Sequence, residues 1–212
     1  MKNLLLIVAV VCVLFSCEDD YIVDGGISDS FVGMSTMKFL KSHPQLDTMA
    51  ILLERAGLAD EVDGSTTLFV ANNLSVRNYV DAVLAELRET DPLAEFTIDD
   101  IPTDTLKKYM GGYVFAEKIA REDMSKEGKI YTAVNGETRR ISLEPDLNSY
   151  SNELSSPPEY VYFTYKKGEE WDEWDNIEDD TRIIVRTSNL ISTNGVIHVL
   201  QGTHVLFNHK KK

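Results

Sequence analysis

The sequence predicts one α+β domain, with helices from its first half packed on a β-sheet formed mainly by its second half. Three observations carry this. Apolar stripes of helical period fill the stretch before Met110. Alternating β-rich runs follow it, the first pair around an Asn-Gly turn. Helices first and strands later argue for α+β, and 212 residues suit one domain with a tail. The chain is 43% hydrophobic and 26% charged, enough apolar material for a core.

The elements follow in order. Ser35 to Leu40 reads as a short helix. "SHPQLDTMAILLERAG" gives a clearer one, with Pro44 in its first turn, a stripe of Leu46, Met49, Leu53 and Ala56, and Gly57 as its stop. Asp63-Gly64 is a turn, and Thr66 to Ala71 is a short strand. Val76, Tyr79, Val80, Val83, Leu84 and Leu87 then form a helical stripe behind an N-capping Ser75. Thr103 caps a helix containing Leu106, Tyr109 and Met110. Lys129 to Val134 and Glu137 to Leu143 flank Asn135-Gly136, a two-residue hairpin signal. Tyr160 to Tyr165 and Arg182 to Thr187 alternate. Asn194-Gly195 supplies a positive-φ turn into Val196 to Leu200, and Thr203 to Phe207 is a last strand. Val196, His198 and Leu200 face one way, Ile197 and Val199 the other. No internal repeat is visible.

Charge and targeting set the outer bounds. A formal charge of -14 repels phosphate, so no nucleic-acid partner is expected. Lys2 precedes an unbroken apolar run, Leu4 to Phe15, that is too short to span a bilayer and fits a signal peptide. It ends in "LFSC", which resembles the bacterial lipobox. That implies residues 1–16 as signal peptide and Cys17 as the acylated first residue, carrying palmitate-type chains in an outer membrane. Cys12 leaves with the peptide, so no thiol remains for a disulfide, a metal or a nucleophile. Loss of Lys2 takes the charge from -14 to -15. Glu18-Asp19-Asp20 resembles a surface-export signal and also suits a solvated tether. Residues 17–32 read as an acidic flexible linker.

Four stretches belong together. They are "STMKFLKSHPQLDTMAILLERAGLAD" (Ser35 to Asp60), "TLFVANNLSV" (Thr67 to Val76), "YTAVNGETRRISL" (Tyr131 to Leu143) and "SNLISTNGVIHVLQGTHVLF" (Ser188 to Phe207). In this order they resemble one fasciclin domain, over residues 33–208. The resemblance implies structural roles for Thr67, Leu68, Phe69 and Asn72, and for Asn194, Gly195, Val196, Ile197 and His198. It also implies a non-catalytic adhesion or ligand-binding module on the cell surface. An accessory subunit of an outer-membrane nutrient-uptake system is the alternative. The partner in either case is an extracellular protein or glycan. Where animal members carry a Tyr-His pair and an acidic residue linked to integrin contact, this chain reads Gly112-Tyr113 and Asn189, so no integrin-type contact is implied.

His198 has no nucleophile or orienting carboxylate assigned to it, and His43, His204 and His209 lack ligand spacing with it. It is expected to be structural, and no cofactor, metal or catalytic residue is predicted. Residues 145–180 read as an insertion, with eleven acidic residues against Lys166 and Lys167. Its segment "GEEWDEWDNIEDD" lacks calcium-loop spacing and reads as a solvated acidic loop. Trp171 and Trp174 in it are either pinned on the domain or left to meet a partner. With Tyr165 they are the candidate ligand-binding residues.

Overall fold

The computed structural model describes residues 30–146 and 157–209. The expected signal peptide, Cys17, most of the acidic linker and residues 147–156 of the expected insertion lie outside the described residues. Helix α1 (Thr36–Ser42) starts at Ser35, whose hydroxyl accepts the Lys38 N–H. Helix α2 (Asp47–Ala56) buries Met49, Ala50, Leu52, Leu53 and Ala56 and ends at Gly57, φ +75°. It begins later than the sequence suggests. Leu46 is its N-cap, and Pro44 occupies the turn before. A single-turn helix, α3 (Ala59–Val62), leads to β1 (Thr67–Val70), buried at every position.

Helix α4 (Asn73–Leu87) is capped by Asn72, not Ser75. The Asn72 carboxamide accepts the Ser75 N–H at 3.0 Å, so Ser75 falls within the first turn. Helix α5 (Thr103–Tyr109) is entered from Pro102, which puts Thr103 one place inside, and Met110 opens a 3₁₀ turn instead of continuing it.

The remaining strands are β2 (Val114–Phe115), β3 (Lys129–Thr132), β4 (Thr138–Pro145), β5 (Glu159–Tyr165), β6 (Thr181–Ile191) and β7 (Val196–Leu200). They join β1 in a seven-stranded sheet ordered β2-β1-β7-β6-β5-β4-β3. β1 and β7 run parallel, and the other neighbours are antiparallel. β6 pairs β5 with its first half and β7 with its second. Two register shifts bend it between them, and Asn189 there has φ +65°. Those shifts break the alternation, which is why the sequence shows only its first half.

Three further expectations are corrected. The hairpin loop has three residues, not two. Ala133 N–H bonds the Glu137 carbonyl at 2.8 Å, Gly136 N–H bonds Ala133, and Gly136 has φ +86°. Thr203 to Phe207 is no strand, because β7 is already flanked by β1 and β6 and offers no edge. It leads into a 3₁₀ turn, Leu206–Asn208, with Phe207 at φ +64° and Asn208 at φ +51°. Finally, Gly195 does not stand at positive φ. A Cβ there would lie 2.3 Å from the Thr66 carbonyl oxygen. The position needs glycine for the close approach of β7 to β1, not for a turn.

The core lies between helices and sheet. Phe69 centres its aromatic part, with ring centroids 5.6 Å from Phe115 and 4.9 Å from Phe163. β7 is covered on both faces: Val196, Ile197, His198 and Leu200 are all buried.

Candidate binding surface

Strand alternation gives the β4–β5–β6 patch two unlike faces. Arg139, Ile141, Val161, Phe163 and Tyr165 lie on the core side. Arg140, Ser142, Glu144, Tyr162, Thr164 and Arg182 share the outer side, with Arg140 opposite Thr164 and Thr164 opposite Arg182. The segment after β5 folds back over this outer side as a roof.

The roof is held from below by cations. The Arg140 guanidinium lies 5.7 Å from the Trp171 ring centre and donates to the Asp172 carbonyl. Arg182 donates to the Trp174 carbonyl at 3.1 Å and to the Glu144 carboxylate, and stands 4.6 Å from the Tyr162 ring. Ser142 Oγ donates to the other Glu144 oxygen at 2.5 Å. Glu144 is only 1% exposed, so these two donors are what make its burial tolerable. Lys126 Nζ lies 5.3 Å over the Trp174 ring. Each indole therefore has a cation over its ring.

The roof is also tied to itself. Asp172 Oδ2 accepts the N–H groups of Glu178, Asp179 and Asp180 at 2.8, 2.7 and 2.8 Å. These donors hold its carboxyl below the usual range. Asp180 accepts from Lys167 N–H at 2.8 Å and from Asp172 N–H at 3.1 Å. Two of the acidic residues are thus the loop's internal fasteners. Glu169, Glu170, Glu173, Asp175, Glu178 and Asp179 stay exposed beside the half-buried indoles. A cleft of about 390 Å³ opens between Trp174, Tyr162, Glu144, Asp146, Asp175 and Arg182. Among the described residues, no group of three or more His, Cys, Asp or Glu is placed to hold a metal ion.

Tyr165 does not join the tryptophans. It lies on the core side of β5, 9% exposed, with the Arg139 guanidinium 4.2 Å from its ring centre. Burial pushes its phenol up to about 12. The composition of the stretch suggested one aromatic cluster, and strand parity divides it into two.

The fasciclin domain profile matches residues 44–203, about three quarters of the chain. The chain belongs to the fasciclin domain family. That family is one of adhesion or binding domains. Among solved structures, the fasciclin chain is similar to a FAS1 domain pair from the insect cell adhesion molecule fasciclin I. The identity is 14% and the TM-score 0.48, over 79% of this chain and 49% of that one. The fasciclin chain thus spans about half the length of that structure. No curated protein matches it.

Two of the four stretches, Thr67 to Val76 and Ser188 to Phe207, are the fasciclin signatures, and they meet along the β1–β7 pair, with Thr67 opposite Val196, Leu68 opposite Ile197 and Phe69 opposite His198. Thr67 Oγ1 donates to the Glu117 carbonyl at 2.8 Å and accepts the Ile119 N–H at 2.8 Å. The Asn194 side chain accepts the Thr36 N–H at 2.9 Å and donates to the carbonyls of Val62 and Gly64 at 3.1 and 3.0 Å. One carboxamide thereby ties α1, α3 and the approach to β1 together. His198 is wholly buried and stacks on Phe69 at 4.6 Å. Its Nε2 donates to the Ile119 carbonyl at 2.8 Å, and Nδ1 accepts the Asn189 N–H at 3.3 Å. Burial lowers its pKa to about 4, so the ring is neutral at pH 7.

Sequence reasoning missed Arg139, Arg140, Arg182 and Glu144. One signal for the first pair was present. Two adjacent arginines inside an alternating strand must send one to each face, and one face is core.

Proposed function

We propose that this fasciclin domain is a lipid-anchored, outer-membrane binding module that presents its acidic aromatic roof to an extracellular protein or glycan. Membership of a family of adhesion and binding domains carries the general reading. The roof carries the particular one. Its tryptophans have Arg140 and Lys126 against their rings, and aromatic area is favoured at contact surfaces because it buries much surface at little entropic cost. The ring of exposed carboxylates around them favours a partner with basic or hydroxyl-rich chemistry. Anchoring rests on Cys17 behind the apolar run. Cys17→Ser should move the protein from the membrane fraction to the soluble fraction and abolish the adherence of cells expressing it. Retention in a salt-washed membrane pellet would refute the lipid anchor. Adherence that survives complete release would refute the surface role.

A further inference from the structure

Strand β6 leaves β5 part-way along, and a fork opens there. Thr181 to Ile184 pair with β5, and from Val185 onward the strand pairs with β7. The first residues of β5, Glu159 to Val161, therefore pair with β4 alone. The fork holds a cleft of about 510 Å³, lined by Asp146, Tyr160, Tyr162, Ile184, Arg186 and Gln201. Asp146 and Tyr162 also line the cleft beside Trp174. The two clefts thus adjoin as one groove along the outer side of the sheet.

The backbone marks the fork as built. On β6, Val185 and Thr187 are two steps apart, whereas their partners Leu200 and Val199 are adjacent, so Arg186 is the extra residue of a bulge. Bulges re-aim a side chain and recur next to active sites. Among the described residues the Arg186 side chain has no hydrogen bond or ion pair. Nor has the half-buried Gln201 carboxamide, although its backbone N–H bonds the Ile184 carbonyl at 2.8 Å. The half-buried Tyr160 ring likewise meets no aromatic ring or cation among the described residues. Arg182 differs, since Glu144 and the Trp174 carbonyl already hold its guanidinium.

The chemistry of the groove is mixed. Arg186 only donates, the Asp146 carboxylate only accepts, and Gln201 does both. Sugar hydroxyls donate and accept alike, and the C–H face of a pyranose packs on an aromatic ring. Charge narrows the choice further. Asp146 and Asp175 stand against Arg186, which disfavours a polyanion, and the free guanidinium of Arg186 disfavours a run of cations.

We propose that this groove binds a neutral glycan chain. One sugar ring packs on Tyr160, its hydroxyls take Arg186 and Gln201, and the chain runs past Tyr162 toward Trp174. This deepens the reading of the roof and rests on it, because Trp174 closes the far end of the groove.

Calorimetry on the full chain in detergent tests this. The probes are the neutral hexasaccharides maltohexaose, laminarihexaose, mannohexaose and xylohexaose, with hexagalacturonate and hexalysine as charged comparators. At least one neutral probe should bind saturably and more tightly than either comparator. Gln201→Ala and Arg186→Ala should each weaken that probe about tenfold or more, with Tm held within about 2 °C because no protein partner is lost. Tyr160→Leu, which keeps an apolar side chain and loses the aromatic face, should weaken it too. Saturation by no neutral probe would overturn the proposal, as would preference for a charged comparator. So would full affinity in both Gln201→Ala and Arg186→Ala. Capture of an extracellular protein that Glu170→Gln with Glu173→Gln weakens and Gln201→Ala does not would uphold the roof and overturn the glycan groove.

Discussion

His198 and Gly195 show what the C-terminal signature is for. His198 fills the strand between Phe69 and Ile119 as a neutral, doubly bonded ring. Replacing it by Ala leaves the Ile119 carbonyl and the Asn189 N–H unpaired. Urea unfolding at pH 7.5 should show a loss on the order of 1–3 kcal/mol. His204 is also buried and, like His198, has its pKa lowered to about 4. Both imidazoles bind protons less readily folded than unfolded, where the pKa is near 6.5. Their contribution is therefore complete above about pH 6.5 and is lost as pH falls from there to about 4. Each can account for up to about 3 kcal/mol across that window. Urea midpoints at pH 7.5 and pH 5 should differ accordingly, and His198→Ala should shrink the difference. A flat profile between those pH values would show that the rings are not held neutral. Glycines divide the same way. Gly195→Ala drives a methyl group into the Thr66 carbonyl and should cost about 3 kcal/mol or more. Gly136→Ala meets no atom within 4 Å and should cost only about 1 kcal/mol, for its positive φ. Equal losses would contradict the assignment of Gly195 to close approach.

At the scale of elements, the β4–β5–β6 patch is where sequence and structure part. The apolar stripe of α2, that of α4 as far as Val83, and the alternation of β5 were legible because burial on one side sets their periods. The run of β1 was legible because it is buried at every position. Leu87, placed at the end of the α4 stripe, is exposed instead. Asn72 was passed over as the α4 cap because Ser75 is an equally good capping residue by type. Tyr165 was grouped with Trp171 and Trp174 because they share a stretch, whereas the parity of β5 sends Tyr165 to the core side. The roof itself was invisible. Nothing in "GEEWDEWDNIEDD" announces that Asp172 and Asp180 turn inward to bind backbone N–H groups. The arginines show what an alanine scan of the tryptophans will read. Because each indole is backed by a cation, Trp171→Ala with Trp174→Ala should lower Tm by several degrees, about 1–2 kcal/mol for lost stacking and burial. A Tm unchanged to within 1 °C would mean that the roof is not pinned. Asp172→Asn should loosen the loop without unfolding the sheet, seen as faster amide exchange at Glu178, Asp179 and Asp180. Unchanged exchange would deny Asp172 its fastening role.

The whole molecule places its β1–β7 frame, with both signatures, away from solvent and its acidic aromatic roof toward it. On the proposed function, the frame sets the fold and the roof contacts the partner. Alanine at the tryptophans mixes the two effects, so the decisive variant leaves the packing alone. Glu170, Glu173 and Asp175 are exposed, and Glu170→Gln with Glu173→Gln and Asp175→Asn should move Tm by no more than about 2 °C. Wild-type and triple-variant protein, each as the full chain, would be compared for affinity on an array of extracellular proteins and glycans. The ligand bound by the wild type is expected to be bound at least tenfold more weakly by the triple variant at equal Tm. Undiminished binding by the triple variant would contradict it and move the contact surface away from the roof.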